Sequence, residues 1–227
     1  MANAASLPHE NDEGTVAGGV TEPPWRFRGT DLSRILALSD GIFAFALTLL
    51  VLGLVIPASV TGSGVFGYLT SDVFGRPLLA YLVTFFVISL WWQGHHLIFT
   101  YLRRYNRNLV RLNTLFLLFI AILPFSTGLL NAARGDPVGV AVFSLLQIAA
   151  GLSLGGLWVY ASGVGGLTPA DFPRDWRDYV TRATLLPPLI FAVSIPVAFV
   201  NTILAQLLWL LIAVMPLVLR RRLGSGN

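Results

Sequence analysis

The sequence predicts an all-α membrane protein of six transmembrane helices. Three observations carry that expectation. The chain has 227 residues, of which 55% are hydrophobic and only 11% charged, whereas soluble domains hold roughly 25% charged residues. Six stretches approach the ~20 apolar residues that a helix needs to cross the hydrocarbon. The arginines gather between alternate stretches, which is how membrane chains mark their inner side.

Residues 1–30 are polar, with Glu10, Asp12, Glu13 and Glu22 and no apolar period. They read as a disordered tail rather than a secretory leader, which would put a basic region before an apolar core. The six-helix domain follows over 31–222, and 223–227 is a short C-terminal tail. The spans are expected near 34–57, 78–101, 109–131, 137–162, 182–200 and 202–219. Pro124 is expected to kink the third. Pro187, Pro188 and Pro196 interrupt the fifth, which membrane helices tolerate when neighbours satisfy the freed backbone groups. Only Asn201 divides the last two spans, so a very tight turn or a shifted boundary is needed.

With a cytoplasmic N-terminus, the inner segments hold thirteen arginines and the outer loops only Arg76 and Arg134. That bias fits a multi-pass cell-membrane protein with both ends cytoplasmic. The outer loop 58–77 is rich in Gly, Ser and Thr and reads as semi-ordered. The inner "TPADFPRDWRDY" carries Trp176 and Tyr179 and reads as an interfacial anchor. The basic balance is no nucleic-acid signal, because the arginines sit at span ends rather than in one patch.

The chain has no cysteine and no Walker, GxGxxG, HExxH, GxSxG or TVGYG motif. Adjacent His95 and His96 point about 100° apart on a helix and are poorly placed to share a metal. Neither an enzyme nor a cofactor or metal site is expected.

Polar residues inside the spans mark function by default. At about 100° per residue, Phe45, Thr48, Leu49 and Leu52 share one stripe of the first span, with Asp40 about 140° from Phe45. Thr48 is most simply a residue that bonds its own i−4 carbonyl. Asp40 reads as a helix cap, a buried structural acid or a proton site. His95 lies at the depth of Asp40 and is its expected hydrogen-bond partner. Asn108 and Asn113, near the inner end of the third span, are able to bond neighbouring helices.

These blocks resemble a known family. "RILALSDGIFAFALTLLVL" is similar to the first-helix signature R-x-x-x-F-S-D of the TMEM175 family of potassium channels. "WWQGHHLIFTYLRRYNRNLVRLNTLFLLFIAILPFSTGLL" continues the likeness, with Trp92 three residues before His95 and a later Leu-Pro-Phe-Ser. The resemblance covers about residues 34–131. It departs from the family pattern at Leu38, where the family has Phe, and at Phe45, where Ile or Leu is usual.

The resemblance implies a homotetramer in the lipid bilayer whose first helices line a pore for potassium ions. It implies an apolar constriction at Phe45, Leu49 and Leu52 and potassium preference at Thr48. No carbonyl filter is implied, nor any cofactor beyond the permeating ion. It further implies that Arg34, Ser39, Asp40, Trp92 and His95 form a structural polar network. Arg34 falls on the pore side by strict period, so it is expected to pair with an acid, Asp40 of its own or a neighbouring subunit. The competing expectation is a proton-coupled transporter that uses Asp40 and His95 as its relay.

Overall fold

The computed structural model describes residues 28–29, 31–62 and 64–212. It is helical, with one two-residue ladder. The elements run β1 (Arg28–Gly29), α1 (Ser33–Leu49), a 3-10 turn (Leu50–Gly53), α2 (Gly64–Leu69), α3 (Asp72–Thr100), β2 (Tyr105–Asn106), α4 (Arg107–Ala132), α5 (Pro137–Ser162), α6 (Arg174–Ala198) and α7 (Thr202–Leu208). Among the described residues, five helices are long and apolar enough to cross a membrane: α1 with its 3-10 extension, α3, α4, α5 and α6. A shorter apolar helix runs from Thr202 to Ile212, and the rest of the expected sixth span lies outside the described residues. So do the expected tails, apart from Arg28 and Gly29.

Local chemistry sets most boundaries. Asp31 Oδ1 accepts the Ser33 N–H (2.9 Å) where α1 begins. Asn106 Oδ1 accepts from Leu109 N–H (3.0 Å) and starts α4. Asp136 Oδ1 takes Val138 N–H (2.8 Å), and Pro137 opens α5 with a φ already set for a helix. Asn201 Oδ1 accepts both Ile203 and Leu204 N–H groups. A tight turn therefore does separate α6 from α7, and the Asn201 side chain caps the start of α7.

Three boundaries differ from the sequence expectation. The first helix ends at Leu49 and tightens to 3-10 before Leu54, short of residue 57. The second span begins at Asp72, six residues before 78, with Ser71 O accepting the Phe74 and Gly75 N–H groups and Pro77 held inside the helix. The fifth begins at Arg174, eight residues before 182. Pro173 precedes it and Asp175 stands in its first turn, so "RDWRDYV" is helix rather than loop.

One end of the bundle is tied by polar strands and loops. Arg28 pairs opposite Asn106 and Gly29 opposite Tyr105, antiparallel. Arg103 N–H donates to Leu167 O (2.9 Å). That end therefore gathers the start of α1, the end of α3, the start of α4 and the end of α5. The broadest pairings are α4 with α5 and α5 with α6, and α5 is the most enclosed span. Phe116, Phe143, Trp158 and Phe191 fill the interior.

The α5–α6 contact depends on glycine. A Cβ at Gly151 would collide with the Pro188 ring and with Trp91, and one at Gly155 would collide with Leu185. Small residues four apart let membrane helices approach closely. Gly151→Ala should destabilise the protein by about 1–3 kcal/mol, the usual range for overpacking. Gly156→Ala, one residue past Gly155 and open to space, should not. Thermal unfolding of the two variants in detergent checks this.

Candidate functional site: the two faces of the first helix

α1 divides cleanly. Ser39, Phe43, Ala46 and Leu50 are buried against the bundle. Arg34, Leu38, Gly41, Phe45, Thr48 and Leu52 are exposed and follow one another at steps of four and three. Phe45 is 64% exposed and Leu52 70%, while Phe43, two positions from Phe45, is 1% exposed. Leu49, one turn past Phe45, is half-buried beside that edge. Leu52 lies in the 3-10 turn, where each residue advances about 120° rather than 100°, so the α-helical wheel places it only approximately.

Thr48 does bond its own backbone, but three residues back rather than four: Oγ1 donates to Phe45 O at 2.8 Å. With its proton committed there, the hydroxyl oxygen keeps acceptor capacity on the exposed edge.

The buried face holds a polar chain through three helices. Ser39 Oγ donates to Ile35 O (2.9 Å) and accepts from Asn113 Nδ2 (3.1 Å). Asn113 Oδ1 lies 2.9 Å from His95 Nε2. Because the Asn113 amide nitrogen already faces Ser39, its oxygen is the acceptor and His95 Nε2 carries the proton. Aromatic rings enclose that imidazole. Phe99 stacks at 4.3 Å, Phe116 at 5.7 Å, and Phe43 lies tilted at 5.9 Å.

Asp40 belongs to a different arrangement. The expected hydrogen bond from His95 to Asp40 is not made. Asp40 Oδ1 instead accepts from Trp92 Nε1 (2.8 Å) on the exposed side. Trp92 also stacks on His96 at 5.6 Å. The reason is azimuth. Trp92 and His96 are four apart and share a face of α3, whereas His95 lies about 100° round, on the buried face with Trp91 and Phe99. Nor does Arg34 form an ion pair with Asp40 of its own chain among the described residues. The acid it influences is Asp31, whose carboxyl is held below its ordinary range chiefly by hydrogen bonds from Ser33, with Arg34 adding to the effect.

Two buried polar sets carried no distinguishing signal in sequence. Trp91 Nε1 donates to Gln147 Oε1 (2.8 Å). Ser144 and Ser194 hydroxyls meet at 2.9 Å, with Trp209 Nε1 donating to Ser194 Oγ (3.1 Å).

Comparison with known proteins adds to this geometry. Residues 34–124 match the family described as endosomal/lysosomal potassium channel TMEM175. A potassium channel of Streptomyces collinus is 36% identical over 138 residues, 59% of this chain and 66% of that protein. A potassium channel of Chamaesiphon minutus is 30% identical over 176 residues, 76% of this chain and 86% of its own length. The crystal structure of a lysosomal potassium-selective channel TMEM175 homolog from Chamaesiphon minutus superposes with a TM-score of 0.69 at 27% identity, covering 86% of this chain and 97% of that one. A shared fold, a matched first-helix segment and a relative aligned over most of its length agree: the chain is a member of the TMEM175 family.

Proposed function

We propose that this chain is a potassium channel of the cell membrane, and that four copies surround a path lined by the exposed edge of α1. The observation that carries the proposal is that edge. Six of its exposed residues, from Arg34 to Leu52, follow one another at steps of four and three. That is the spacing by which helices meet about a common axis. Phe45, Leu49 and Leu52 form the apolar constriction, which gates by dewetting. Thr48 supplies the oxygens that favour potassium.

Ser39, Trp92, His95 and Asp40 hold α1 against α3 and α4. Arg34 is balanced by an acid of a neighbouring subunit, Asp40 being the candidate. Both termini are cytoplasmic, on the side that gathers Arg103, Arg104, Arg107 and Arg111.

The transporter reading needs Asp40 and His95 to exchange a proton. Their hydrogen bonds run to Trp92 and Asn113 instead, which favours the channel. The two readings separate in proteoliposomes. A channel passes potassium down its own gradient with no proton gradient. A coupled transporter saturates, follows the proton gradient and stops in Asp40→Asn.

Thr48→Ala is the selectivity test. Losing one hydroxyl oxygen from each subunit should lower the preference for potassium over sodium about fivefold, equal to the ~1 kcal/mol of an ordinary net hydrogen bond. Stability should hold, since the hydroxyl bonds only its own helix. Reversal potentials under bi-ionic conditions measure the ratio, and an unchanged ratio removes Thr48 from the path.

A further inference from the structure

α3 makes little contact with α5 and α6, and a groove of about 300 Å³ runs between the three. Leu90, Trp91, Leu97, Leu154, Val180 and Ala183 give it apolar walls. Along α3 the lining extends from Val87 to Leu97, a rise of about 15 Å at 1.5 Å per residue. That is half of a ~30 Å hydrocarbon core, the depth of one leaflet.

One end of the groove carries interfacial aromatics. Tyr179 lines it and meets Trp176 edge-on at 5.6 Å. Trp176 in turn faces Tyr101 at 6.2 Å. Tyrosine and tryptophan gathered this way mark the level of the lipid headgroups.

A cation stands at the same end. By helical period Arg177 lies one turn before Val180 and two before Thr184, at the edge of the stripe of α6 that lines the groove and next to α5, where Trp158 Nε1 donates to its carbonyl. Its Nε is buried and has no hydrogen-bond partner among the described residues. By the same period Asp178 points away from the groove, while Asp175, one turn before Tyr179, stands exposed at the opposite edge of the stripe from Arg177.

We propose that the groove holds one acyl chain of an anionic phospholipid, with the lipid phosphate against Arg177. An apolar trough one leaflet deep takes the chain. The aromatic collar sets the headgroup depth, and the guanidinium selects negative charge. The proposal does not depend on which ion the protein conducts.

The chain has no cysteine, so Ala183→Cys places a single thiol in the groove wall. The full-length variant, stripped of lipid in neutral detergent, is reacted with N-ethylmaleimide alone, with phosphatidylglycerol or with phosphatidylcholine. Phosphatidylglycerol at ten times its Kd should slow labelling about tenfold, and phosphatidylcholine should slow it much less. Adding Arg177→Gln should abolish the difference between the two lipids and leave the lipid-free rate unchanged. Leu97→Cys, on the opposite wall, should be protected in parallel and guards against a local defect at position 183. Equal rates under all three conditions overturn the proposal. So does equal protection by both lipids while Arg177 is present. Slow labelling without lipid that recovers when the assembly is dissociated also overturns it, because a second copy would then cover the groove.

Discussion

Replacing Phe45 by alanine should raise potassium flux about tenfold, equal to ~1.4 kcal/mol off the barrier, without loss of thermal stability. Both halves of that expectation follow from placement. At 64% exposure the Phe45 ring contributes little to the packing of its own subunit, so truncation leaves no cavity there. If the edge from Arg34 to Leu52 lines the path, the same truncation removes a ring of four aromatic groups from its apolar neck. A wider, less apolar neck wets more readily, and a wetted neck conducts. Phe43→Ala is the matched control. That ring is 1% exposed and lies against His95 and Phe116, so its loss should cost about 3–5 kcal/mol of stability and give no gain in flux per folded channel. Leu49→Ala should increase flux less than Phe45→Ala, because Leu49 is half-buried in its own subunit. Single-channel recording in planar bilayers gives the conductances, and thermal unfolding gives the stabilities. Unchanged conductance in Phe45→Ala, with the protein fully incorporated, would mean that the edge faces lipid.

That Phe45 and Thr48 share one side of the first helix was legible in the sequence because α1 is regular from Ser33 to Leu49, so one angular period sorts its residues. The period stops being a guide at the 3-10 turn, and that is where Leu52 sits. Boundaries were legible where a chemical stop signal adjoins an apolar run: Asp136–Pro137 and Gly163 place α5 at both ends. They were not legible at "RDWRDYV". There charge suggests a loop, yet the segment lies beyond the hydrocarbon, where a helix can carry charge on its outer faces. The polar partners were the least legible part. Depth along a span can be counted from sequence, and by depth alone Asp40 and His95 match. Direction around the span depends on how the helices are turned toward each other, which one chain's period does not contain. That turn sends His95 to Asn113 and leaves Asp40 to Trp92.

Asn113→Ala should lower the melting temperature by about 4–8 °C, the shift for ~2 kcal/mol in a chain of this size. Interhelical hydrogen bonds in membranes average only about 0.6 kcal/mol, because the separated helices find other partners. Asn113 should exceed that average for a reason visible in its surroundings. It serves two helices at once, donating to Ser39 on α1 and accepting from His95 on α3. When it is lost, Ser39 keeps its bond to Ile35 O. The Nε2–H of His95, caged by Phe43, Phe99 and Phe116, keeps nothing. A buried donor left without a partner costs about 1–3 kcal/mol, more than the net worth of the bond itself. Ser39→Ala tests the chain from its other end by orphaning the Asn113 amide, and the double variant should be less damaging than the sum of the two, since both act on one network. Trp92→Phe should shift the melting temperature less than either, because its bond to Asp40 lies at the exposed surface of the subunit. If Trp92→Phe proved the most damaging of the three, the strength of the α1–α3 attachment would lie on the outer face, and the buried chain through Asn113 would be secondary.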